Sequence, residues 1–229
     1  MGTLFVVGTP IGNLEDLSPR AARVLGEVVL VAAEDTRRTM GLLTHLGLRK
    51  PLVAIYAQVE RTRSQQVVDT LAGGNVALCT DGGMPAISDP GAYLVDRARA
   101  AGHEVVVIPG PSAVVAALAA SGFSGDRFIF LGFLPRKQSE MTSLFSGYEE
   151  DRRTLVAYES PQRLQKALDT ISATLPDRRV AVARELTKVH EEVRVATAAE
   201  LAGHFSAHPP RGEVTLVIEG AAKKKRSPG

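Results

Sequence analysis

The sequence predicts an α/β fold of two domains, in which a mostly parallel N-terminal sheet is followed by a mixed C-terminal sheet. Three observations support this prediction. Short apolar, β-branched runs alternate with helical patterns in the first half, as in a parallel sheet covered on both faces. After about Ser121 the rhythm changes, and two strands follow each other without an intervening helix, which favours antiparallel pairing. The composition, 45% hydrophobic and 23% charged residues, is typical of globular proteins.

The N-terminal domain, residues 1–111, is expected to contain five buried strands. The helices between them have clear boundary signals: Ser18 is an expected N-cap with Pro19 at the first helical position, and Gly47 and Gly102 are expected to end helices. The predicted strands are 4–7, 28–32, 52–56, 76–80 and 105–108.

The C-terminal domain, residues 112–220, is expected to contain five more strands and two strong helices, with the junction near residues 111–121. Strands 180–183 and 193–196 are the pair predicted to be antiparallel. The other predicted elements are strands 128–133, 154–158 and 214–218 and helices 161–175 and 198–208. Residues 221–229 are expected to form a basic flexible tail.

The charge distribution gives no sign of a basic RNA-binding body. The formal net charge is +2, but Lys223, Lys224, Lys225 and Arg226 lie within the last seven residues. Taking those four from the 27 basic residues leaves 23 against 25 acidic ones, a net charge of −2. Charge alone therefore does not indicate a nucleic-acid partner.

Cysteine usage and apolar run lengths exclude several classes of protein. Cys79 is the only cysteine, so an intrachain disulfide and a cysteine-based zinc site are excluded, and its apolar run predicts a buried, inert thiol. No metal site is expected from the five histidines. The apolar runs are too short for a signal peptide or a membrane span, which predicts a cytoplasmic protein without membrane contact.

Three loops that follow predicted strands are unusually rich in glycine and proline: residues 8–13, 81–91 and 109–113. In parallel sheets the loops at the carboxyl ends of the strands form the ligand crevice. Glycine permits close backbone approach, and proline limits the entropy lost on binding. Tight turns alone could explain one such loop, but three at one sheet edge favour a ligand site.

The familiar phosphate-binding and nucleophile motifs are absent from the sequence. There is no Gly-Lys pair, the first loop has Gly-x-x-x-Gly rather than Gly-x-Gly-x-x-Gly, and no Gly-x-Ser-x-Gly occurs. The residues by themselves therefore predict a two-domain α/β enzyme with a rigid small-molecule cleft, whose ligand is neither a nucleoside triphosphate nor NAD.

An ordered set of motifs runs along nearly the whole chain and carries a resemblance. The motifs are residues 7–16, 33–37, 87–91, 109–113, 132–135, 158–161, 183–188 and 212–213. Together they resemble the tetrapyrrole methylase superfamily, and within it the branch that methylates the 2′-hydroxyl of a cytidine in the decoding centre of 16S ribosomal RNA. The resemblance implies two α/β domains with S-adenosylmethionine in the cleft between them, a homodimer, and the small ribosomal subunit as partner.

The resemblance also implies the residues of the site. Carboxylates can accept hydrogen bonds from a ribose diol or an amino group, and Tyr158 or Ile87 can cover the adenine. The implied cofactor contacts are Pro10, Asp81, Gly83, Ile87, Ser88, Ser112, Ala113, Tyr158, Glu159, Leu186 and Glu213.

Methyl transfer to oxygen depends mainly on in-line positioning, to which a base adds about 10²–10⁴-fold. Asp35 is the candidate base, and Arg37 and Lys188 are candidates to hold the flanking phosphate or to lower the pKa of the hydroxyl. Structural alternatives stay open: Asp35 as the N-cap of a helix over 36–46, and ion pairs of Arg37, Arg184 and Lys188 with Glu34 or Glu185.

The chain departs from the family pattern in four places. Residues 57–60 replace a His/Asn/Glu-rich stretch, Met84 replaces a threonine, Gln162 replaces a histidine, and the chain ends soon after Gly220, where many relatives continue. The first and last of these departures concern expected RNA contacts, and Met84 removes a hydroxyl beside the expected cofactor.

Two other functions remain open at this point. One is C-methylation of a tetrapyrrole, against which motifs 33–37 and 183–188 argue. The other is a non-catalytic ribosome-binding assembly factor, which the departures at 57–60 allow. Aromatic residues make up only 5% and Trp is absent, so basic pairs are the better candidates for RNA contacts. These pairs are Arg61/Arg63, Arg136/Lys137 and Arg152/Arg153, although solvated helix faces explain them equally well.

Overall fold

The computed structural model describes residues 2–223 and divides between Ser112 and Ala113 into two compact units. Lys224, Lys225 and Arg226 of the expected tail lie outside the described residues. Each unit is built on a five-stranded sheet, the first parallel and the second mixed, so the predicted α/β class is confirmed. Within residues 2–223, no helix has the length and apolar character needed to cross a bilayer.

The first unit is a doubly covered parallel sheet. Its strands are β1 (Thr3–Val7), β2 (Leu30–Ala33), β3 (Leu52–Ala54), β4 (Val76–Cys79) and β5 (Glu104–Ile108), and its helices are α1 (Pro19–Glu27), α2 (Thr36–His45), α3 (Glu60–Leu71) and α4 (Ala92–Ala100). The strand order is β3-β2-β4-β1-β5, and every neighbouring pair is parallel. Strands β2 and β4 are buried along their whole length, as their continuous apolar runs predict.

The predicted helix boundaries of the first unit are confirmed. Ser18 accepts a hydrogen bond from the Ala21 N–H, with Pro19 at the first helical position. Gly47 and Gly102 follow the ends of α2 and α4 with φ of 69° and 82°, a left-handed conformation that glycine reaches at little cost.

Cys79 is confirmed as a structural thiol. It is fully buried at the end of β4, and burial raises the pKa of the thiol to about 12. Since the thiolate is the reactive form, this cysteine is inert at neutral pH.

The second unit is a mixed sheet with helices packed against it. Its strands are β6 (Phe128–Phe133), β7 (Thr154–Glu159), β8 (Arg179–Arg184), β9 (Glu192–Thr197) and β10 (Val214–Ile218), and its helices are α5 (Ala113–Ser121), α6 (Gln138–Ser146), α7 (Leu164–Thr174) and α8 (Ala198–Ala207). The strand order is β6-β7-β10-β8-β9; β6 and β7 are parallel and the other pairs antiparallel. The predicted antiparallel pairing of β8 with β9 is confirmed.

Helix α6 was missing from the prediction, which placed only two helices between β6 and β10. Met141 and Phe145, one turn apart, are its buried residues, and both are fully buried. Met141, Leu144 and Phe145 follow the i, i+3, i+4 spacing of a helix, but this apolar face covers a single turn of a nine-residue segment, so the pattern is weak. Packing against α7 and the core of the second unit stabilises α6 instead.

Replacing Phe145 with Ala should therefore destabilise the second unit strongly. We expect a loss of about 3–5 kcal/mol in the free energy of unfolding, because the substitution removes a fully buried ring and leaves a cavity. Urea denaturation followed by circular dichroism measures the loss. Phe133→Ala is the matched control, since that ring is 62% exposed, and it should cost less than about 1 kcal/mol. Equal effects of the two substitutions would contradict the proposed anchoring of α6.

Candidate active site

The three glycine- and proline-rich loops of the first unit lie together, because the strands that precede them are neighbours in the order β4-β1-β5. Thr9 and Gly83 exchange two backbone hydrogen bonds of 2.9 Å. A Cβ atom on Gly8 would lie 2.7 Å from the backbone of Gly110, so this contact requires glycine at both positions. The loops 8–13, 81–91 and 109–112 therefore form one backbone surface, as the prediction of a shared ligand edge requires.

Loop 81–91 has strained backbone at the predicted cofactor contacts. Ala86 and Ser88 have φ of 68° and 63°, a left-handed conformation that costs about 1–3 kcal/mol for residues with a side chain. Ile87 stands between them and is 45% exposed. Such strain concentrates at ligand sites, where the surrounding structure holds it in place. The loop thus presents an apolar side chain to solvent in a backbone conformation that packing enforces.

Carboxylates gather where β2 and β4 end side by side. The Asp81 carboxylate accepts the Asp35 N–H at 3.0 Å and lies 3.5 Å from Arg38 Nε, while Glu34 accepts the Asp81 N–H at 3.3 Å. Burial, together with the nearby charge of Glu34, raises the pKa of Asp89 to about 6, and burial also raises the pKa of Glu34. This edge of the sheet is therefore suited to a cationic group.

Asp35 and Arg37 form a local pair at the start of α2. Asp35 is the N-cap, and its carboxylate accepts the Arg37 N–H at 2.8 Å and the Arg37 guanidinium at 2.8 and 3.1 Å. These bonds lower the pKa of Asp35 to about 2. Asp35 thus acts as the helix N-cap that the sequence left open, and Arg37 pairs with Asp35 instead of with Glu34 or Glu185, the alternatives considered for it. The Arg37 side chain is 86% exposed, which leaves the pair open to exchange with a charged ligand.

In the second unit, loops 184–188 and 212–213 are joined through Lys188. Its Nζ donates hydrogen bonds to Glu185 and to Glu213, both at 2.9 Å. The ion pair with Glu185 is one of the structural alternatives that the sequence left open for Lys188. Burial alone would lower the pKa of Lys188, but its two carboxylate partners raise it, so the ammonium stays charged. A Cβ on Gly212 would lie 2.0 Å from the Glu185 carboxylate, which explains the glycine there.

Tyr158 and Glu159 end strand β7 and differ in what they offer a ligand. The Tyr158 ring is half-buried and packs against Phe130 and Phe133, with ring centroids 5.0 and 5.4 Å apart. Glu159 is only 3% exposed, and both of its carboxylate oxygens accept hydrogen bonds, one from Arg163 at 2.7 Å. Tyr158 therefore presents part of its ring, while Glu159 mainly supports the loop that follows it.

The remaining predicted residues lie in the same two loop systems. Pro10, Ser112 and Ala113 are half-buried and Leu186 is buried. The predicted residues of the first unit are Pro10, Asp35, Arg37, Asp81, Gly83, Ile87, Ser88 and Ser112; those of the second unit are Ala113, Tyr158, Glu159, Leu186, Lys188 and Glu213. Across the part of the chain that the structure describes, no group of three or more His, Cys, Asp or Glu residues is placed to hold a metal ion.

Sequence reasoning did not assign Glu34, Arg38 or Asp89 to the site, and considered Glu34 only as an ion-pair partner. Asp89 lies inside a quoted motif, but its raised pKa depends on Glu34 and Asp81, which are distant in sequence. The detectable signal was that all these carboxylates follow strands of one parallel sheet, whose carboxyl ends share an edge.

Glu60, one of the departures from the family pattern, has a structural role. Its carboxylate accepts the backbone N–H groups of Gly91, Tyr93 and Leu94 at 2.8, 3.1 and 3.3 Å. The N-cap of α4 is Gly91, which has no side chain to satisfy the free N–H groups of a helix start. Glu60 supplies that acceptor from α3 and thereby holds the end of loop 81–91.

The chain is similar to known proteins over nearly its whole length. The family model described as Tetrapyrrole (Corrin/Porphyrin) Methylases matches residues 3–202. The ribosomal RNA small subunit methyltransferase I of Thermotoga maritima is 45% identical over 221 residues, which cover 96% of this chain and 99% of that protein. The protein of the same name from Pseudomonas aeruginosa is 47% identical, over 96% of this chain and 79% of that protein.

The fold agrees with these matches. The solved structure of uroporphyrin-III-C-methyltransferase from Thermus thermophilus is similar with a TM-score of 0.64 at 24% identity, covering 95% of this chain and 94% of that one. At this identity the likeness shows the fold alone. The resemblance that the loop motifs carry is confirmed, and the chain belongs to the tetrapyrrole methylase family, within it to the ribosomal RNA small subunit methyltransferase I group.

Proposed function

We propose that this methyltransferase transfers a methyl group from S-adenosylmethionine to the 2′-hydroxyl of a cytidine in the decoding centre of 16S ribosomal RNA. The observation that carries the proposal is the 45% and 47% identity, over 96% of the chain, to relatives named for the small-subunit RNA. The solved structure named for methylation of a tetrapyrrole is 24% identical, well below these relatives. The proposal includes a homodimer that acts on the small ribosomal subunit, and therefore in the cytoplasm.

The loops of the first unit have the chemistry needed to bind S-adenosylmethionine. When bound, this cofactor supplies a methyl group on a positively charged sulfur. The carboxylates of Asp81, Glu34 and Asp89 suit its cationic groups and ribose diol, and the backbone surface of loops 8–13, 81–91 and 109–112 permits close approach. Ile87 of the first unit or Tyr158 of the second, each partly exposed, offers an apolar face to an adenine ring.

The Asp35–Arg37 pair links substrate binding to base strength in this proposal. The exposed Arg37 guanidinium suits a phosphate that flanks the acceptor ribose, because it can form two parallel hydrogen bonds with phosphate oxygens. Moving Arg37 to that phosphate removes the main cause of the low pKa of Asp35. The carboxylate then becomes a stronger base for the hydroxyl proton. Lys188 of the second unit is bound by Glu185 and Glu213, so it can contact a phosphate only by giving up one of these ion pairs.

Asp35→Asn separates this chemical role from the structural one. Asn caps helices about as well as Asp, so the melting temperature should change little. We expect the rate of methyl transfer to fall by about 10²–10⁴-fold, because the amide cannot accept the hydroxyl proton. Single-turnover transfer measures the rate, calorimetry should show unchanged cofactor binding, and Asp96→Asn on the exposed face of α4 is the control. Near-normal transfer by Asp35→Asn would remove Asp35 from the mechanism.

Cofactor affinity should depend on pH through Asp89. As the pH rises through about 6, Asp89 ionises and attracts the sulfonium and amino groups more strongly. We expect binding of S-adenosylmethionine to tighten about three- to tenfold between pH 5.5 and 7.5, and Asp89→Asn to abolish most of this change. Calorimetry at both pH values measures it. S-adenosylhomocysteine, whose sulfur is uncharged, is the matched ligand control and should show a smaller change; equal pH dependence of the two ligands would contradict the assignment.

The proposed function itself is tested with labelled S-adenosylmethionine and small ribosomal subunits from a strain that lacks this modification. We expect 2′-O-methylcytidine as the labelled product in nucleoside mass spectrometry. A product methylated on another atom would replace the proposed acceptor. Tight binding to subunits without any transfer would instead favour the non-catalytic assembly factor.

A further inference from the structure

The second unit contains a cavity of about 570 Å³ that the proposed chemistry does not use. It is lined by the ends of β8 and β9 and by the C-terminal end of α8 with the residues that follow. Its volume lies in the range of small-molecule sites, about 300–1,000 Å³, and can accept one nucleotide. Arg184 and Glu185 belong both to its lining and to the loop that ends at Lys188. The cavity thus adjoins a candidate substrate loop of the same unit.

One wall of the cavity is a stack of two imidazole rings. His204 and His208 lie one turn apart, with ring centroids 4.7 Å apart and planes inclined by 22°. The orientation of His208 is held by a 3.2 Å hydrogen bond between its Nδ1 and the His204 carbonyl oxygen. Phe205, beneath them, packs edge-on against His204 at 4.9 Å. Because His208 is exposed, the stack ends in a flat ring that a further planar ring can cover.

The other walls carry an excess of positive charge. Arg184 and Arg194 both pair with the single carboxylate of Glu192, the former at 2.5 Å. Arg211 is exposed, and within residues 2–223 no carboxylate forms an ion pair with it. Glu185, the other carboxylate of the lining, is paired with Lys188. Three guanidiniums therefore face two carboxylates, and Arg211 pairs with neither of them, which leaves a surface that attracts phosphate. The stacked rings and the guanidiniums face the same space.

We propose that this cavity binds an unpaired nucleotide of the substrate RNA, with its base on His208 and its phosphate on Arg211 and Arg194. Single-stranded RNA is bound in this way, through bases stacked on flat side chains and phosphates held by arginine. The inference rests on the proposed function for the identity of the RNA. It adds a binding subsite that lies outside the methyl-transfer chemistry.

The probe for the test is the small ribosomal subunit from a strain that lacks the modification. Binding is measured by co-sedimentation, and methyl transfer to the same subunits gives kcat and KM. We expect His208→Ala and Arg211→Ala each to weaken binding and raise KM by about 5- to 50-fold, with kcat and cofactor affinity unchanged. His208→Phe should retain most of the affinity, because it keeps a flat ring. Arg97→Ala removes an exposed guanidinium from α4 of the first unit and should have little effect.

The salt dependence separates the two contacts. Arg211→Ala should reduce the slope of log affinity against log salt by about 0.7, the value for one phosphate of a single strand, whereas His208→Ala should leave the slope unchanged. Affinities within twofold of the wild type for both Ala variants, with normal transfer, would overturn the subsite and leave the proposed function intact. If the Ala variants bind subunits more weakly but the wild-type protein transfers no methyl group, the subsite is supported and the proposed reaction is rejected. A wild-type protein that does not bind subunits would contradict both.

Discussion

The first unit depends on the close approach of two backbones, those of Gly8 and Gly110. Strands β4, β1 and β5 are adjacent, so the loops that follow them leave the sheet at the same edge. A Cβ atom on either residue would lie 2.7 Å from the backbone of the other, so only glycine fits at both positions. The backbone bridge between Thr9 and Gly83 adds the third loop to this contact. The rigidity of the candidate site therefore comes from main-chain packing, and the side chains add the chemical groups.

The same sheet order explains the electrostatics. Because β2 and β4 are neighbours, Glu34, Asp35 and Asp81 meet at one edge, and the repulsion among them is only partly compensated by Arg37 and Arg38. The second unit balances its charges differently, with Lys188 placed between two carboxylates. The loops of the first unit thus keep uncompensated negative charge, which suits a cationic cofactor, whereas the charge of Lys188 in the second unit is already balanced by its two carboxylate partners.

The elements with a continuous apolar pattern could be predicted from the sequence, and those stabilised by distant partners could not. Strand β4 was found within one residue because every position in it is buried, whereas α6, with two buried anchors, was missed. The meeting of the three loops followed from parallel topology. The raised pKa of Asp89 and the ion-pair partner of Arg37 could not be predicted from the sequence, because they depend on which side chains the fold brings into contact.

Glu60 has a consequence for how this sequence can change over evolutionary time. Residues 57 and 58 are exposed, while the carboxylate of Glu60 holds three N–H groups at the start of α4. Substitutions at 57 and 58 therefore leave the frame of loop 81–91 intact, but the loss of Glu60 would leave those three donors without their acceptor. Substitution is therefore tolerated at residues 57 and 58 and opposed at residue 60, because the Glu60 carboxylate completes the start of a helix.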